Sequence, residues 1–240
     1  MYGKKNPKYG IVGNGRVAAH LRCYFAALDI DYCSLSSNDV NNKNKAFTKT
    51  NTILLAISDK AIEHFLEEHR HLMEQKICIH FSGSVSTDLA FGFHPLMTFS
   101  STLYTVEQYQ AILFLKEENA PPFRDIFPQL PNRCVSIKKA DKTYYHALCV
   151  LANNFSTLLW QKFFSEMTNR FELPLVDLLT FFEQSMANIK TNYAQALTGP
   201  LVRGDEQTLT KHIDALRDDP FATVYQSFVD CYKKINHDAN

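Results

Sequence analysis

The first apolar run of the chain passes directly into a glycine turn, written Tyr9-Gly10-Ile11-Val12-Gly13-Asn14-Gly15-Arg16-Val17-Ala18. Gly13 allows a tight turn after a strand, and Gly15 lacks a Cβ, so a diphosphate could approach the backbone there. Ala18 takes the third position, where a small residue lets the following helix pack closely on the strand. The free amides at the start of that helix would favour an anion. The pattern favours dinucleotide binding, and a purely structural turn is the alternative.

The end of the second predicted strand bears on which dinucleotide would bind. It reads Ser34-Leu35-Ser36-Ser37-Asn38 and carries no Asp or Glu to hold both ribose hydroxyls, as NAD sites do. Small polar side chains there tolerate a 2′-phosphate, which Arg16 could also reach. We therefore expect NADP, with NAD less favoured. The residues expected to contact it at the turn and at this strand end are Gly13, Asn14, Gly15, Arg16, Val17, Ala18, Ser36 and Ser37.

The composition is that of an ordinary folded protein without electrostatic bias. Its 240 residues are 45% hydrophobic and 21% charged, and 25 basic side chains balance 25 acidic ones. This composition excludes global disorder and a uniform basic field for nucleic acid. No apolar run approaches the roughly 18–20 residues that span a bilayer. The six cysteines are widely spaced, which indicates packing residues of a cytoplasmic protein without a metal or disulfide framework.

The chain changes character near residue 140. Before it, seven short, mostly apolar runs alternate with turn or helix signals, which is typical of strands covered on both faces. These runs are Tyr9–Val12, Ile30–Leu35, Thr52–Ile57, Ile77–Phe81, Ala90–His94, Ala111–Leu115 and Cys134–Ile137. After it, glycine is absent as far as residue 198, so long helices such as 176–197 become possible. We predict an α/β fold, with a Rossmann-type, mostly parallel sheet over residues 1–140 and an all-α domain over 141–240.

Several later segments carry a family resemblance over most of the chain. They are Ser82-Gly83, His94-Pro95-Leu96-Met97-Thr98-Phe99, Asn188-Ile189 and Thr198-Gly199-Pro200-Leu201-Val202-Arg203-Gly204-Asp205. With the glycine turn, they resemble a bacterial Rossmann-like family whose C-terminal helical domain has no known function. That family is similar to pyrroline-5-carboxylate reductase, ketopantoate reductase, prephenate dehydrogenase and the 6-phosphogluconate dehydrogenase-like enzymes. The resemblance implies an NAD(P) domain, a helical 6-phosphogluconate dehydrogenase C-terminal-like domain that forms a homodimer, and a small-molecule substrate between them.

Four residues near the strand ends are candidates for contact with the nicotinamide or the substrate. Ser58 follows the third strand and Ser82-Gly83 follows the fourth, at the sheet edge where ligands bind. An ordinary cap or turn is the alternative for each serine. His94 precedes a proline, and prephenate dehydrogenases have a similar His-Pro whose histidine is catalytic. The resemblance therefore implies that His94 is the acid/base, with a structural histidine in a turn as the alternative.

The helical half offers polar side chains for the substrate. In the 6-phosphogluconate dehydrogenase-like enzymes its first helix carries a Lys-x-x-x-Asn pair, but here Lys142 is followed four residues later by His146. The orienting amides are instead expected about two turns further on. These amides are the side chains of Asn153 and Asn154, and together with His94 they form the expected catalytic set.

The Thr-Gly-Pro loop supplies a candidate anion anchor. Arg203 could clamp a carboxylate or phosphate, and Asp205 is expected to cap the next helix. Asn188 is expected in the same substrate-binding region. The sequence therefore predicts an NAD(P)-dependent oxidoreductase that transfers hydride between nicotinamide and a C=O or C=N group of a small anionic metabolite. The alternatives are a non-catalytic NADP-binding sensor and a helical interaction module with a vestigial nucleotide fold.

Overall fold

The computed structural model of the chain describes residues 8–35 and 50–237. It divides into two compact units, Met1–Leu159 and Trp160–Asn240. The division falls later than the change of sequence character near residue 140, because the helix that begins at Lys142 stays attached to the sheet. None of the helices in the described ranges has the length and apolar character needed to cross a membrane.

A seven-stranded sheet, counted over the described residues, forms the centre of the first unit. Its strands are β1 (Tyr9–Val12), β2 (Tyr32–Leu35), β3 (Thr52–Leu55), β4 (Ile77–His80), β5 (Phe91–Pro95), β6 (Phe114–Glu117) and β7 (Cys134–Ile137). Their order is β2-β1-β3-β4-β5-β6-β7. The first five strands of this order are parallel, β6 runs antiparallel to β5, and β7 runs parallel to β6. The predicted Rossmann-type, mostly parallel sheet is thus confirmed.

Both faces of the sheet are covered, which explains the continuous apolar runs. Ile11 and Leu54 belong to one buried cluster, and their neighbours Val12 and Leu55 belong to the other. The helices of this unit are α1 (Arg16–Ala27), α2 (Asp59–Glu68), α3 (Arg70–Met73), α4 (Val106–Ala111), α5 (Phe123–Ile126) and α6 (Lys142–Cys149). A π-helical turn, Val150–Phe155, continues α6 into α7 (Ser156–Asn169).

The sixth strand is displaced furthest from its predicted position. The apolar pattern predicted a strand over Ala111–Leu115, but the strand is Phe114–Glu117. The difference arises because a capping box starts a short helix upstream, and Ala111 is its last residue. In this box the Thr105 hydroxyl accepts from the amide of Gln108 at 3.3 Å, and the Gln108 side chain accepts from the amide of Thr105 at 2.9 Å.

The second unit is helical, as predicted. After the end of α7, its described helices are α8 (Leu175–Asn192), α9 (Pro200–Arg203), α10 (Glu206–Ala215) and α11 (Phe221–His237). The Trp160 ring of α7 lies 4.9 Å from the Phe182 ring of α8, so aromatic packing joins these two helices. Asp205 caps α10, as predicted, because its carboxylate accepts from the amide of Thr208 at 3.0 Å.

Candidate functional site

Gly13, at the end of β1, is required by the fold itself. Its φ is +122°, and a Cβ at this position would collide with the carbonyl oxygen of Ala56. Its amide donates to the carbonyl of Leu35 at 3.0 Å, and its own carbonyl accepts from the Arg22 guanidinium at 3.0 Å. The turn therefore links the ends of β1, β2 and β3 whether or not a ligand is bound.

At Gly15, in contrast to Gly13, the space that a side chain would take is empty. Apart from its chain neighbours, no atom of the described residues lies within 4 Å of the position that a Cβ would take. Gly15 is the N-cap of α1 and offers no side-chain cap, so the first amides of this helix remain available to another acceptor. They border a cleft of about 890 Å³. Its size is within the range of ligand sites.

The cofactor cleft, as we name this space, has walls from the end of β3, from the turns that follow β1, β3 and β4, and from α1 and α2. The residues that line it are Gly13, Asn14, Gly15, Arg16, Val17, Leu55, Ala56, Ile57, Ser58, Asp59, Ala61, His64, Phe65, Glu68, Phe81 and Ser82. Ala18 does not line it; it is fully buried against the sheet. Ser36 and Ser37 lie outside the described residues. A vestigial nucleotide fold would have side chains filling this crevice, and the described residues leave it open.

The two serines that line the cleft differ in their hydrogen bonds. Ser58 is the N-cap residue of α2, but its side chain makes no capping hydrogen bond. The hydroxyl oxygen of Ser82 accepts from the amides of Ser84 at 3.2 Å and Val85 at 2.9 Å. Ser82 therefore shapes the turn after β4, and its hydroxyl proton can still be donated into the cleft.

His94 is half-buried on β5, beside the turn that follows β4. Its Nδ1 lies 2.8 Å from the hydroxyl of Tyr145 on α6, and its ring centroid lies 5.8 Å from that of His146. Gly83 makes room for both histidines, since a Cβ there would collide with the His146 ring and lie 3.0 Å from Nε2 of His94. Burial, followed by the charges of His146 and Lys142, lowers the pKa of His94 to about 4. The ring is therefore neutral at pH 7.

Tyr145 forms a hydrogen bond with one of the two ring nitrogens of His94, Nδ1. Burial raises the pKa of the Tyr145 hydroxyl, which therefore stays protonated. With Nδ1 bonded to this hydroxyl, Nε2 of His94 has no hydrogen-bond partner among the described residues. The described His, Cys, Asp and Glu side chains form no group of three or more that could hold a metal ion.

A buried ion pair holds α6 against the sheet. Nζ of Lys142 lies 2.6 Å from Oε1 of Glu117 on β6, and the two side chains are 4% and 1% exposed. Lys142 also donates to the carbonyl of Val85. Gly92 provides the necessary space, because a Cβ there would collide with Nζ of Lys142. The pair fixes the helix that carries Tyr145 and encloses Lys142 within the protein.

The three residues of the expected catalytic set fall into two groups. Asn153 and Asn154 lie on the π-helical turn, where Nδ2 of Asn153 donates to Oδ1 of Asn154 at 3.1 Å. They line a second cleft, of about 460 Å³, whose other wall includes Arg16. No described contact joins either asparagine to His94. His94 instead contacts Tyr145 and His146, and we name these three residues the histidine group.

The two predicted substrate residues of the helical half belong to the second unit. Arg203 is the last residue of α9, and Gly204 ends that helix at a φ of +65°. Asn188 lies on α8, where its side-chain oxygen accepts from Nε2 of Gln184 at 2.8 Å. The substrate-binding roles of Arg203 and Asn188 stay predictions.

Comparison with protein families identifies the later part of the chain. Residues 113–231 match the family model described as a domain of unknown function, DUF2520. The chain carries a DUF2520 domain. The match starts just before β6, so the DUF2520 domain includes the last two strands as well as most of the helices. The predicted resemblance to a Rossmann-like family with a helical domain of unknown function is confirmed.

Solved structures share the fold over nearly the whole chain, DUF2520 domain included. A Bacteroides fragilis protein classified as an NADP oxidoreductase is 17% identical, with 96% of this chain and 99% of that chain covered at a TM-score of 0.74. Plasmodium falciparum pyrroline carboxylate reductase with NADP bound is 14% identical, with 96% and 97% covered at a TM-score of 0.56. A variant of a Myxococcus stipitatus imine reductase in complex with NAD+ is 12% identical, with 95% and 93% covered, also at 0.56. No curated protein matches the chain in sequence.

Proposed function

We propose that the chain is an NADP-preferring oxidoreductase that transfers hydride between nicotinamide and a C=O or C=N group of a small anionic metabolite. The observation that carries this proposal is the open position at Gly15. The fold has no steric need for glycine there, whereas a diphosphate does need the bare backbone. The resemblance in fold to reductases that bind NADP or NAD agrees with this class.

The residues around the cofactor cleft fit a nicotinamide dinucleotide. Gly13, Gly15 and the uncapped first turn of α1 would hold the diphosphate, and Ser58 and Ser82 would lie along the nicotinamide half. When bound, the nicotinamide supplies or accepts a hydride. NADP is preferred over NAD in this proposal because Leu35, the last described residue of β2, is not followed by an acidic residue before position 39.

His94 would hold the substrate proton at Nε2. Because the neutral ring predominates at pH 7, Nε2 can accept a proton when an alcohol or amine is oxidised. In the reductive direction, a neutral imidazole N–H can donate to a carbonyl oxygen or imine nitrogen. Tyr145 would fix the ring, and Asn153 and Asn154 would orient the substrate. Arg203 and Asn188 are the substrate-binding candidates of the second unit.

A non-catalytic dinucleotide sensor is the second candidate, and one observation favours it. The Lys-x-x-x-Asn pair of the related dehydrogenases is absent, and Lys142 is enclosed in its ion pair with Glu117. A sensor would bind the dinucleotide through the same glycine turn and would show no turnover. His94, with an unpartnered Nε2 near the strand ends, favours the enzyme.

The chain would act as a homodimer through its helical unit. Four large apolar residues of α8 share one helix face and are each more than a third exposed: Leu175 (53%), Leu179 (41%), Met186 (37%) and Ile189 (49%). A second copy of the same helix would cover this stripe. A cytoplasmic location is part of the same proposal, since none of the six cysteines, all within the described residues, forms a disulfide.

Thermal unfolding with NADPH, NADP+, NADH and NAD+ tests the proposed function. We expect stabilisation by all four, and more by the two phosphorylated forms, because a ligand that binds only the folded state raises its melting temperature. An unchanged melting temperature with every dinucleotide would contradict the proposal. Stabilisation without oxidation of NADPH, tested with a panel of imines and 2-oxo acids, would instead support the sensor.

A further inference from the structure

We infer that the second cleft is the substrate site and that it takes a small carboxylate whose anionic group binds Arg16. This inference rests on the proposed function, because it places the substrate beside the cofactor cleft. The residues that form the site are Arg16, Val17, Thr98, Phe99, Asn153, Asn154 and Thr157. Their cleft of about 460 Å³ is of metabolite size.

Arg16 joins the two clefts. It is the first residue of α1, directly after Gly15, and it lines both the cofactor cleft and the second cleft. Its side chain is exposed, and the guanidinium makes no hydrogen bond or ion pair with the described residues. Arg22, by comparison, is tied to the carbonyl of Gly13. A planar guanidinium left without a partner at the mouth of a polar cleft suits bidentate binding of a carboxylate.

The π-helical turn places amide groups opposite this arginine. The contact between Asn153 and Asn154 leaves Nδ2 of Asn154 and Oδ1 of Asn153 without hydrogen-bond partners among the described residues. The Thr157 hydroxyl donates to the carbonyl of Asn153 at 2.7 Å, which steadies the turn. Turns of this type interrupt helices frequently at functional sites. The free amide donor of Asn154 can bind a second oxygen of the substrate.

The lining selects the class of ligand. Arg16 is its single charged side chain, no acidic residue lines it, and the remaining polar groups are two amides and two hydroxyls. Phe99 adds an apolar surface. A monoanion with a short neutral body fits this set, whereas an ammonium ion would meet the arginine without a carboxylate to balance it. Arg16 is thereby assigned to the substrate and not to the 2′-phosphate of the cofactor.

Calorimetric titration with oxamate, an unreactive analogue of a 2-oxo acid, tests this assignment. The titration is made on the protein saturated with NADP+, and the affinity for NADP+ is measured separately for each variant. We expect Arg16→Met to weaken oxamate binding about tenfold or more, because a charged hydrogen bond is lost. Arg70→Met is the matched control, because Arg70 is exposed on α3 and lines neither cleft, and it should leave oxamate binding unchanged. Neutral oxamide should bind far more weakly than oxamate.

A second variant keeps the glycine turn intact. Asn154→Asp places a negative charge in the second cleft, and it should abolish oxamate binding while the affinity for NADP+ stays close to that of the native protein. Arg203 is the rival anion anchor, so loss of oxamate binding in Arg203→Met but not in Arg16→Met would overturn the inference. Displacement of oxamate by NADP+, or no saturable binding, would overturn it as well. If NADP+ itself does not bind, the proposed function fails, and the Arg16→Met titration of the free protein still tests the anion site.

Discussion

The Nδ1 atom of His94 lies 2.8 Å from the hydroxyl oxygen of Tyr145, a residue 51 positions later in the chain. Removing the hydroxyl with Tyr145→Phe should free the imidazole to populate both neutral tautomers. It should also lower turnover about tenfold, the effect of losing one hydrogen bond. Nitrogen-15 chemical shifts of the His94 ring and steady-state rates measure the two effects.

Tyr144→Phe is the control for this substitution, because Tyr144 is its neighbour in sequence and is 71% exposed. It should change neither the tautomer of His94 nor the rate. Affinity for NADPH should be the same in both variants, since neither tyrosine lines the cofactor cleft. A His94 spectrum unchanged in Tyr145→Phe would show that the tyrosine does not position the ring.

The ion pair between Lys142 and Glu117 should be important for stability. Lys142→Met leaves the Glu117 carboxylate buried without a cation, which should lower the free energy of unfolding by about 3 kcal/mol or more. Adding Glu117→Leu should recover most of the loss, because the unpaired charge is removed. Urea unfolding measures both. The exposed pair of Lys139 and Asp88 is the control, and Lys139→Met should have no measurable effect. Equal stability of Lys142→Met and the native protein would contradict the buried pairing.

One buried histidine, His80, and one half-buried histidine, His94, should make the protein sensitive to acid. Burial is the main cause that lowers the pKa of His80 to about 3 and that of His94 to about 4, from 6.5 in the unfolded chain. Below pH 6.5 the unfolded state therefore binds more protons, and stability is lost as the pH falls towards 4. Each histidine should contribute a loss of about 1 kcal/mol between pH 7 and 5.5.

Urea unfolding at several pH values separates the contribution of His80. Its side chain is fully buried, and neither ring nitrogen has a described hydrogen-bond partner, so His80→Phe should reduce the loss of stability in acid. His64→Asn is the control, because that side chain is 80% exposed. An identical slope of stability against pH in His80→Phe and the native protein would show that His80 is protonated equally in both states.

The apolar stripe on α8 gives a prediction about assembly. Light scattering of the native chain should give the mass of a dimer. Ile189→Glu should shift the mass to that of a monomer, because burying a carboxylate in an apolar contact is unfavourable. Lys190→Glu changes charge at the next position and should leave the dimer intact. A monomeric native chain would contradict the proposed assembly.

Local features of the sequence predicted the sheet, whereas the histidine group depended on contacts between distant residues. The turn at Gly13 and the apolar strands are each determined by a few consecutive residues, so the sequence alone predicts them. Tyr145 meets His94 across 51 positions, and Lys142 meets Glu117 across 25. Both contacts exist because α6 docks on the sheet. The available signals were a glycine inside a strand, Gly92, and an acid at the end of another, Glu117.

Substitutions at the two glycines of the first turn should affect different properties: stability at Gly13 and dinucleotide binding at Gly15. Gly13→Ala should destabilise the protein by about 2 kcal/mol or more, since it combines a positive φ with a collision against Ala56. Gly15→Asp should fold with an unchanged or higher melting temperature, because nothing surrounds the new side chain and Asp is a favoured N-cap residue. The same carboxylate would occupy and repel the position of a diphosphate.

Calorimetric titration of NADPH into the native protein and into Gly15→Asp is therefore the most direct measurement. We expect saturable binding to the native protein and none to the folded variant. Equal affinity of the two proteins, or no binding to either, would contradict a dinucleotide site at this turn.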